Sequence, residues 1–425
     1  MGNVTSEIDC DFAGRQRPAR IVLPYLMVVE QLLPIYRDKK GRLFAGDLWQ
    51  KDLSEHLEYI DHLMLASPCH QQEPPPDAKP LVADHSTLEL IELPAQRSLL
   101  QSLRVMPTIV LRLSRAVRRA GIVHSAIVGF PIPMGWIVTP LAMLFRKPLV
   151  IIVESAPWRL QQGITFGWKR RLRSILQEYM GRWVLRNAKL VICTQDEYRQ
   201  SLLGARESHG HIIPASWIDE KDILSHDEVN KIWDKKLSAP GPRLRILFVG
   251  RLLPEKGVLL LLEAMRRLSV ESAPITLDIL GEGDLKAKCE AAAAELTGTT
   301  AVNLLGTVPY GPPLFAVIRQ YDAVVIPSIS DEQPRIVFDA YSQGVPVLAS
   351  DTAGLRSCVR NGEVGLLAPP NDISALCSLL RDAVLHRQDL KKLGLQSLNY
   401  AHSMTHQEMH RRRAVLLQEM LDTRK

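Results

Sequence analysis

The stretch AVVIPSISDEQPRIVFDAYSQGVPVLAS, Ala323–Ser350, decides the fold. It opens on an apolar run, Ala323–Pro327, crosses a polar loop, becomes helical over Arg335–Gln343 and ends in a second apolar run, Val345–Ser350. Two short apolar runs joined by a helical segment read as parallel strands, because antiparallel neighbours need only a short turn whereas parallel ones need a crossover. Pro334 suits the first helical position, where its missing N–H is no loss. The amides of Arg335, Ile336 and Val337 would then lack partners inside the helix and be open to an acceptor. Asp331 precedes that tip by three residues and Asp339 lies just over a turn inside it. Ionised carboxylates only accept hydrogen bonds, so their use beside an anion site would be to hold hydroxyls. Taken singly, Asp331 reads better as an ordinary cap and Asp339 as a solvated helix residue.

Working outward, the alternation holds from Arg243 onward. Leu244–Gly250, Ile275–Gly281, Ala301–Leu305 and Gly365–Ala368 read as further strands; Val258–Leu268, Leu285–Leu296, Pro313–Arg319 and Ile373–Leu385 read as helices. Such a doubly wound sheet binds its ligand beyond the carboxyl ends of its strands, which directs attention to the loops after Gly250, Gly281, Leu305 and Pro327. After Gly250 come Arg251-Leu252-Leu253-Pro254-Glu255-Lys256-Gly257 and then a helix. Two cations at a helix N-terminus oppose the macrodipole unless an anion lies between. A bound phosphate resolves that conflict; Glu255 or solvent also could.

These segments together resemble the nucleotide-sugar domain of the retaining GT-B glycosyltransferases of family 4, the group-1 transferases, over roughly 243–385. The resemblance rests on a Gly-Arg-x-x-x-x-Lys-Gly loop from Gly250 to Gly257, a Gly281-Glu282-Gly283 turn, Leu305-Gly306 at a strand end, and a carboxylate pair, Asp331 and Asp339, with seven residues between them. The passage Ala340-Tyr341-Ser342-Gln343-Gly344-Val345-Pro346-Val347 continues it. The resemblance implies an α/β fold of GT-B type, two Rossmann-like domains with parallel sheets facing a central cleft. It implies that Arg251 and Lys256 hold a diphosphate, that Asp331 holds donor-sugar hydroxyls and Asp339 the ribose, and that Thr307 and Val308 face the base. Gly250, Glu282 and the amides of Arg335, Ile336 and Val337 complete the donor side. The implied activity is transfer of a hexose-type sugar from a UDP- or GDP-sugar to a glycan or lipid-linked acceptor with retention of configuration. No cofactor and no metal are then needed, since cations and amides meet the charge that develops on the leaving diphosphate. The alternative is a degenerate GT-B scaffold in a glycan-assembly complex.

The sequence departs from the family in three places, one being that Pro148–Val153 leads to Glu154 where many members place a histidine facing the donor sugar, with His124 the nearest candidate. Its carboxylates are aspartates where most members carry glutamates, and a shift of about 1 Å in such contacts is costly. In the first half the family's glycine-rich loop is missing: Arg20–Val29 leads to Leu33-Pro34-Ile35-Tyr36. Ile122–Val128, Pro148–Val153 and Leu190–Thr194 read there as strands and Asp47–Leu63 as a helix; Glu73–Pro80 reads as a proline-rich loop. His124 and Glu154, at or beside strand ends, are the acceptor-side candidates. The expected domains are 1–206 for the acceptor, 207–242 as a connection containing Pro240 and Pro242, 243–404 for the nucleotide sugar, and a polar helix over 405–425.

Length and composition agree. At 425 residues, 46 % apolar and 23 % charged, the chain is ordinary globular material with room for two cores. Its six cysteines, from Cys10 to Cys377, form no close pair, so neither a disulfide framework nor a zinc set is suggested. Met1–Arg20 lacks the apolar core of a signal peptide, and Met1-Gly2 with Ser6 matches a myristoylation pattern by chance. Gly121–Phe145 is uncharged but broken by prolines, and reads as strand, turn and helix rather than a span. The expected location is cytoplasmic, peripheral at the inner face of a membrane.

The net charge of +6 concentrates in Thr165–Leu190, where Lys169, Arg170, Arg171, Arg173, Arg182, Arg186 and Lys189 stand against Glu178 alone. Trp168, Leu172, Ile175, Leu176, Tyr179 and Trp183 recur there at helical spacing. Such a helix either packs its stripe on a sheet or adheres to an anionic membrane surface. No nucleic-acid motif accompanies it.

Overall fold

The computed structural model describes residues 20–30, 33–75, 78–81, 87–96, 98–129, 131–159, 167–238 and 243–423. Met1, Gly2, Ser6, Cys10, Thr165, Pro240 and Pro242, named above, lie outside these. The chain divides into two compact units: one holds the described residues up to Thr194, Tyr198–Ile213 and those from Met409 on, the other Gln195–Glu197 and Pro214–Glu408.

In the first unit the strands Tyr25–Val28, Ile122–Ala126, Leu149–Val153, Leu190–Cys193 and Gly210–Ile212 pair in that order, all parallel. On the other side Tyr25–Val28 pairs with Leu63–Gln71. Residues 63–68 of that long strand carry Leu88–Leu93, and its end carries Ile35–Arg37. Leu43–Gly46 pairs antiparallel with Ile35–Arg37, and Ala78–Pro80, expected as part of a loop, pairs antiparallel with Leu43–Gly46, so the sheet is parallel at its centre and mixed at one edge. Successive side chains face opposite ways: Leu26 and Val28 pack under the helices Leu99–Arg119, Met134–Leu144 and Trp168–Arg186, and Tyr25 and Met27 under Asp47–Tyr59 and the C-terminal helix.

The helix expected over Asp47–Leu63 stops at Tyr59, and Leu63 instead begins a strand fully buried at its start. An apolar run long enough for either structure carries no period that separates the two. The helix Leu99–Arg119, with Pro107 inside it, was not expected. Gly121–Phe145 is strand, turn and helix, as expected.

The second sheet runs Ala301–Gly306, Ile275–Leu280, Leu244–Val249, Ala323–Ile326, Val347–Ser350, Gly365–Ala368, all parallel. Counted in chain order this is 3-2-1-4-5-6, so the order reverses between Leu244–Val249 and Ala323–Ile326. The loops that follow these two strands therefore open a crevice at the reversal. Residues Ile246 and Phe248 face the helices Val258–Val270 and Ile373–Leu385 on one side of the sheet. Leu247 faces Pro312–Ile318, Ile336–Ser342 and Ala353–Val359 on the other.

The stretch expected as a connection is largely ordered into this core. The helix His226–Ser238 buries Val229 and Trp233, and the Trp233 indole N–H donates to the Gly344 carbonyl at 2.9 Å. Full burial of one such side chain contributes about 1.5–3 kcal/mol. The C-terminal helix, His406–Asp422, is less polar in effect than its composition: Met409, Ala414, Leu417 and Met420 are buried. Among the described residues no helix is long and apolar enough to cross a membrane.

Candidate functional site

At the reversal the loops after Val249 and Ile326 are tied together by main chain. The Glu255 carbonyl accepts from the Ile329 amide at 3.0 Å and from the Ser328 hydroxyl at 3.1 Å. Gly257 makes this possible. Its φ of 73° lies in the left-handed region, and a Cβ there would sit 1.8 Å from the Pro327 carbonyl oxygen. Gly257 also caps the helix Val258–Val270; its carbonyl takes the amides of Leu260 and Leu261, which leaves those of Val258 and Leu259 for an outside acceptor.

The Lys256 ammonium lies 3.1 Å from Glu332 Oε2, so this cation stands beside the loop that leads to Pro334. Arg251 is exposed, and its side chain has no hydrogen bond or ion pair among the described residues. Gly250 and Gly281 end adjacent strands: the Gly250 amide donates to Leu280, the Gly281 amide to Gly306, and a Cβ on Gly281 would meet the Gly250 carbonyl at 1.9 Å. The Gly281-Glu282-Gly283 turn thus lets two main chains touch. The Glu282 carboxylate itself faces out and pairs with Lys286 at 2.9 Å. Thr307 is exposed, while Val308 packs on the core.

The helix after Pro334 begins at Ile336, two residues later than expected. As a result the Val337 amide is not free: it donates to the Pro334 carbonyl over a long 3.4 Å, and Phe338 donates to Arg335 at 3.0 Å. The Ile336 amide remains available. Arg335 lays its guanidinium over the Trp217 ring, 4.7 Å from its centroid, and Trp217 in turn stacks on His406. Gln333 fixes the loop by exchanging two hydrogen bonds with the Ala215 main chain, and the Gln195 amide donates to the Asp331 carbonyl at 2.6 Å. The Asp331 carboxylate is exposed, so it is not the cap of this helix.

Asp339 is not a solvated helix residue. It is 3 % exposed, and its Oδ1 accepts from the Tyr310 hydroxyl at 2.9 Å. Burial and this neighbouring carboxylate push the Tyr310 phenol far above its ordinary range, so it stays a donor. Tyr310, Gln333 and Trp217 are the residues sequence reasoning passed over; Glu332 it offers only as a substitute for Asp331. None of those three carried a local signal of its own.

In the first unit His124 is packed edge-on against Tyr25, and its Nδ1 is buried without a hydrogen-bond partner. Burial, with His56 and Arg413 nearby, pulls its pKa down to about 3. Glu154 is exposed and lies 3.9 Å from Arg413. The same arginine stands 3.8 Å from Asp52, a buried carboxylate that also meets His410 at 3.2 Å and His56 at 3.3 Å. His124 and Glu154 thus both border an ionic cluster that anchors the C-terminal helix within this unit.

Residues 229–397 match the family model described as glycosyl transferases group 1. Over 214 residues the chain is 30 % identical to the amylovoran biosynthesis glycosyltransferase AmsK of Erwinia amylovora, covering 42 % of this chain and 52 % of that protein. The chain spans only a third to about half the length of the curated relatives it matches. Solved structures resemble it over nearly all its length: Anabaena HepE in complex with UDP at TM-score 0.65 and 16 % identity, covering 94 % of this chain and all of that one. Sucrose-phosphate synthase from Thermosynechococcus elongatus matches at TM-score 0.67 and 18 % identity, covering 95 % and 100 %. The segment 229–397 is thus similar to the group-1 glycosyltransferases, and the chain has the GT-B fold.

Proposed function

We propose that the chain is a retaining, metal-independent glycosyltransferase of family 4 that moves a hexose-type sugar from a UDP- or GDP-sugar to a glycan or lipid-linked acceptor. Its setting is polysaccharide or glycolipid biosynthesis, in the cytoplasm and peripheral to the membrane's inner face. The observation that carries this reading is the Lys256 ammonium 3.1 Å from Glu332, across two loops whose main chains are bonded at Glu255. In this reading Lys256, Arg251 and the first turn of Val258–Val270 meet a diphosphate leaving group where it would gain charge. Preorganised donors act most strongly at such a point. In this reading Asp331 holds sugar hydroxyls, Asp339 the ribose once Tyr310 yields it, and the phosphate released assists deprotonation of the acceptor. The complexes of HepE with UDP and with UDP-glucose make uridine nucleotides the first probes.

Calorimetry with UDP and GDP, followed by donor hydrolysis and transfer assays, tests the proposal. Binding of one nucleotide with sugar release is expected; binding of neither removes the reading. The scaffold alternative is favoured by one fact, the occupation of buried Asp339 by Tyr310. Nucleotide binding without sugar release or transfer would select it.

A further inference from the structure

The donor reading makes no use of the helix Trp168–Arg186, whose orientation is the reverse of what packing would produce. At 3.6 residues per turn, Trp168, Leu172, Ile175, Leu176 and Tyr179 share a stripe roughly 100° wide, and Gly181, Val184 and Leu185 point to roughly the opposite side. Those last three are the helix's buried residues. These five side chains therefore face away from the sheet, with Trp168 70 %, Ile175 67 % and Tyr179 67 % exposed, whereas Trp183, a turn further on, packs on the core. Lys169 and Arg171 border the stripe on its two sides, and every residue from Trp168 to Arg173 is exposed.

A second helix on the same side of the sheet also leaves apolar side chains exposed at its start. Leu99, Leu100 and Leu103 open Leu99–Arg119 and are exposed. Both helices lead from the carboxyl end of one parallel strand back to the start of the next, so both begin at the strands' carboxyl edge. The helix Met134–Leu144 packs between them.

We propose that this face of the first unit binds the surface of an anionic lipid bilayer. An aromatic and aliphatic stripe edged by cations matches the headgroup boundary, where rings with one polar end settle and cations meet lipid phosphates. A second copy of the chain fits poorly, because a self-complementary contact would set these cations against their own equivalents. The face also lies at the sheet edge beyond which α/β folds bind ligands, as delivery of a lipid-linked acceptor requires. The inference takes up the peripheral location proposed above but rests on no donor-site residue, so nucleotide binding and vesicle binding can fail separately.

The test is sedimentation of the full chain with vesicles of phosphatidylglycerol and phosphatidylcholine, and with phosphatidylcholine alone, at low and high salt. UDP calorimetry and thermal melting serve as controls. Retention by the anionic vesicles at low salt, and release at high salt, are expected. Lys169→Ala or Arg171→Ala should each weaken retention about fivefold. The combined Trp168→Ser, Leu172→Ser, Ile175→Ser variant should weaken it at least about tenfold, with melting and UDP binding unchanged, since all three side chains are exposed. No retention at low salt, equal retention by neutral vesicles, or full retention of the triple variant would overturn the inference. So would light scattering that shows the triple substitution dissociating a dimer.

Discussion

Lys256 and Glu332, 76 positions apart in sequence, form the ion pair that joins the two loops at the reversal of the second sheet, Nζ to Oε2 at 3.1 Å. Both side chains keep some access to solvent, which limits such a pair to about 1 kcal/mol or less. A diphosphate would compete for the same ammonium with more charge. We expect Lys256→Ala to weaken UDP binding about tenfold or more, a loss of one charge-assisted contact of about 1.5–3 kcal/mol. Glu332→Gln should tighten it by up to about fivefold, because it removes the competitor. Calorimetry reads both. If Glu332→Gln instead abolishes transfer, Glu332 does the work expected of Asp331.

Tyr310→Phe takes from a buried carboxylate the hydroxyl that it accepts from at 2.9 Å. Loss of a hydrogen bond to a buried charge costs about 1–3 kcal/mol, so the variant should melt earlier than the parent. Added UDP should then stabilise the variant more than the parent, since ribose hydroxyls can replace the missing donor. Equal ligand-induced shifts in melting temperature would remove Asp339 from the ribose contact.

Gly257→Ala puts a Cβ 1.8 Å from the Pro327 carbonyl oxygen at a φ of 73°. The left-handed conformation alone costs about 1–2 kcal/mol, and the collision forces the two loops apart. We expect more than about 2 kcal/mol of lost stability in urea unfolding, together with weakened UDP binding. Wild-type stability would mean that the loops separate without cost.

His124 predicts a pH dependence. Its pKa falls from 6.5 to about 3 in the folded chain, chiefly through burial. The unfolded chain binds this proton first. The stability that His124 contributes is therefore complete above about pH 6.5 and lost as pH drops toward 3. His124→Gln should flatten that part of the acid limb relative to the parent and leave donor binding unchanged. A variant that keeps the parent's acid limb but loses transfer would return His124 to the acceptor side.

Much of the second unit was legible because its signals are local. Apolar runs separated by helical segments dictate parallel strands, and a cation-bearing loop ahead of Val258–Val270 shows its conflict with the helix dipole in a few residues. The first unit was harder to read. Leu63–Gln71 follows a helix almost without a break, and its buried start lacks the alternation that marks a half-exposed strand. Helix Leu99–Arg119 is hidden by Pro107 and by apolar residues left in solvent. At the site, sequence brought Asp331 and Asp339 to notice by spacing alone. It could not distinguish an exposed carboxylate from one enclosed by Tyr310, because that difference depends on a residue from another strand-to-helix loop.

The sequence by itself determined which side chains share a helix face or a strand edge, since those follow from periods of 3.6 and 2 written into the chain. Tertiary structure alone decided which face turns inward. In Trp168–Arg186 the core takes Gly181, Val184 and Leu185 with the edge of Trp183, and leaves Trp168, Leu172, Ile175, Leu176 and Tyr179 in water. The same holds for Lys256 with Glu332 and Tyr310 with Asp339: each residue's chemistry is local, but its partner is chosen by packing between segments distant in the chain, where burial energy is summed over many contacts at once.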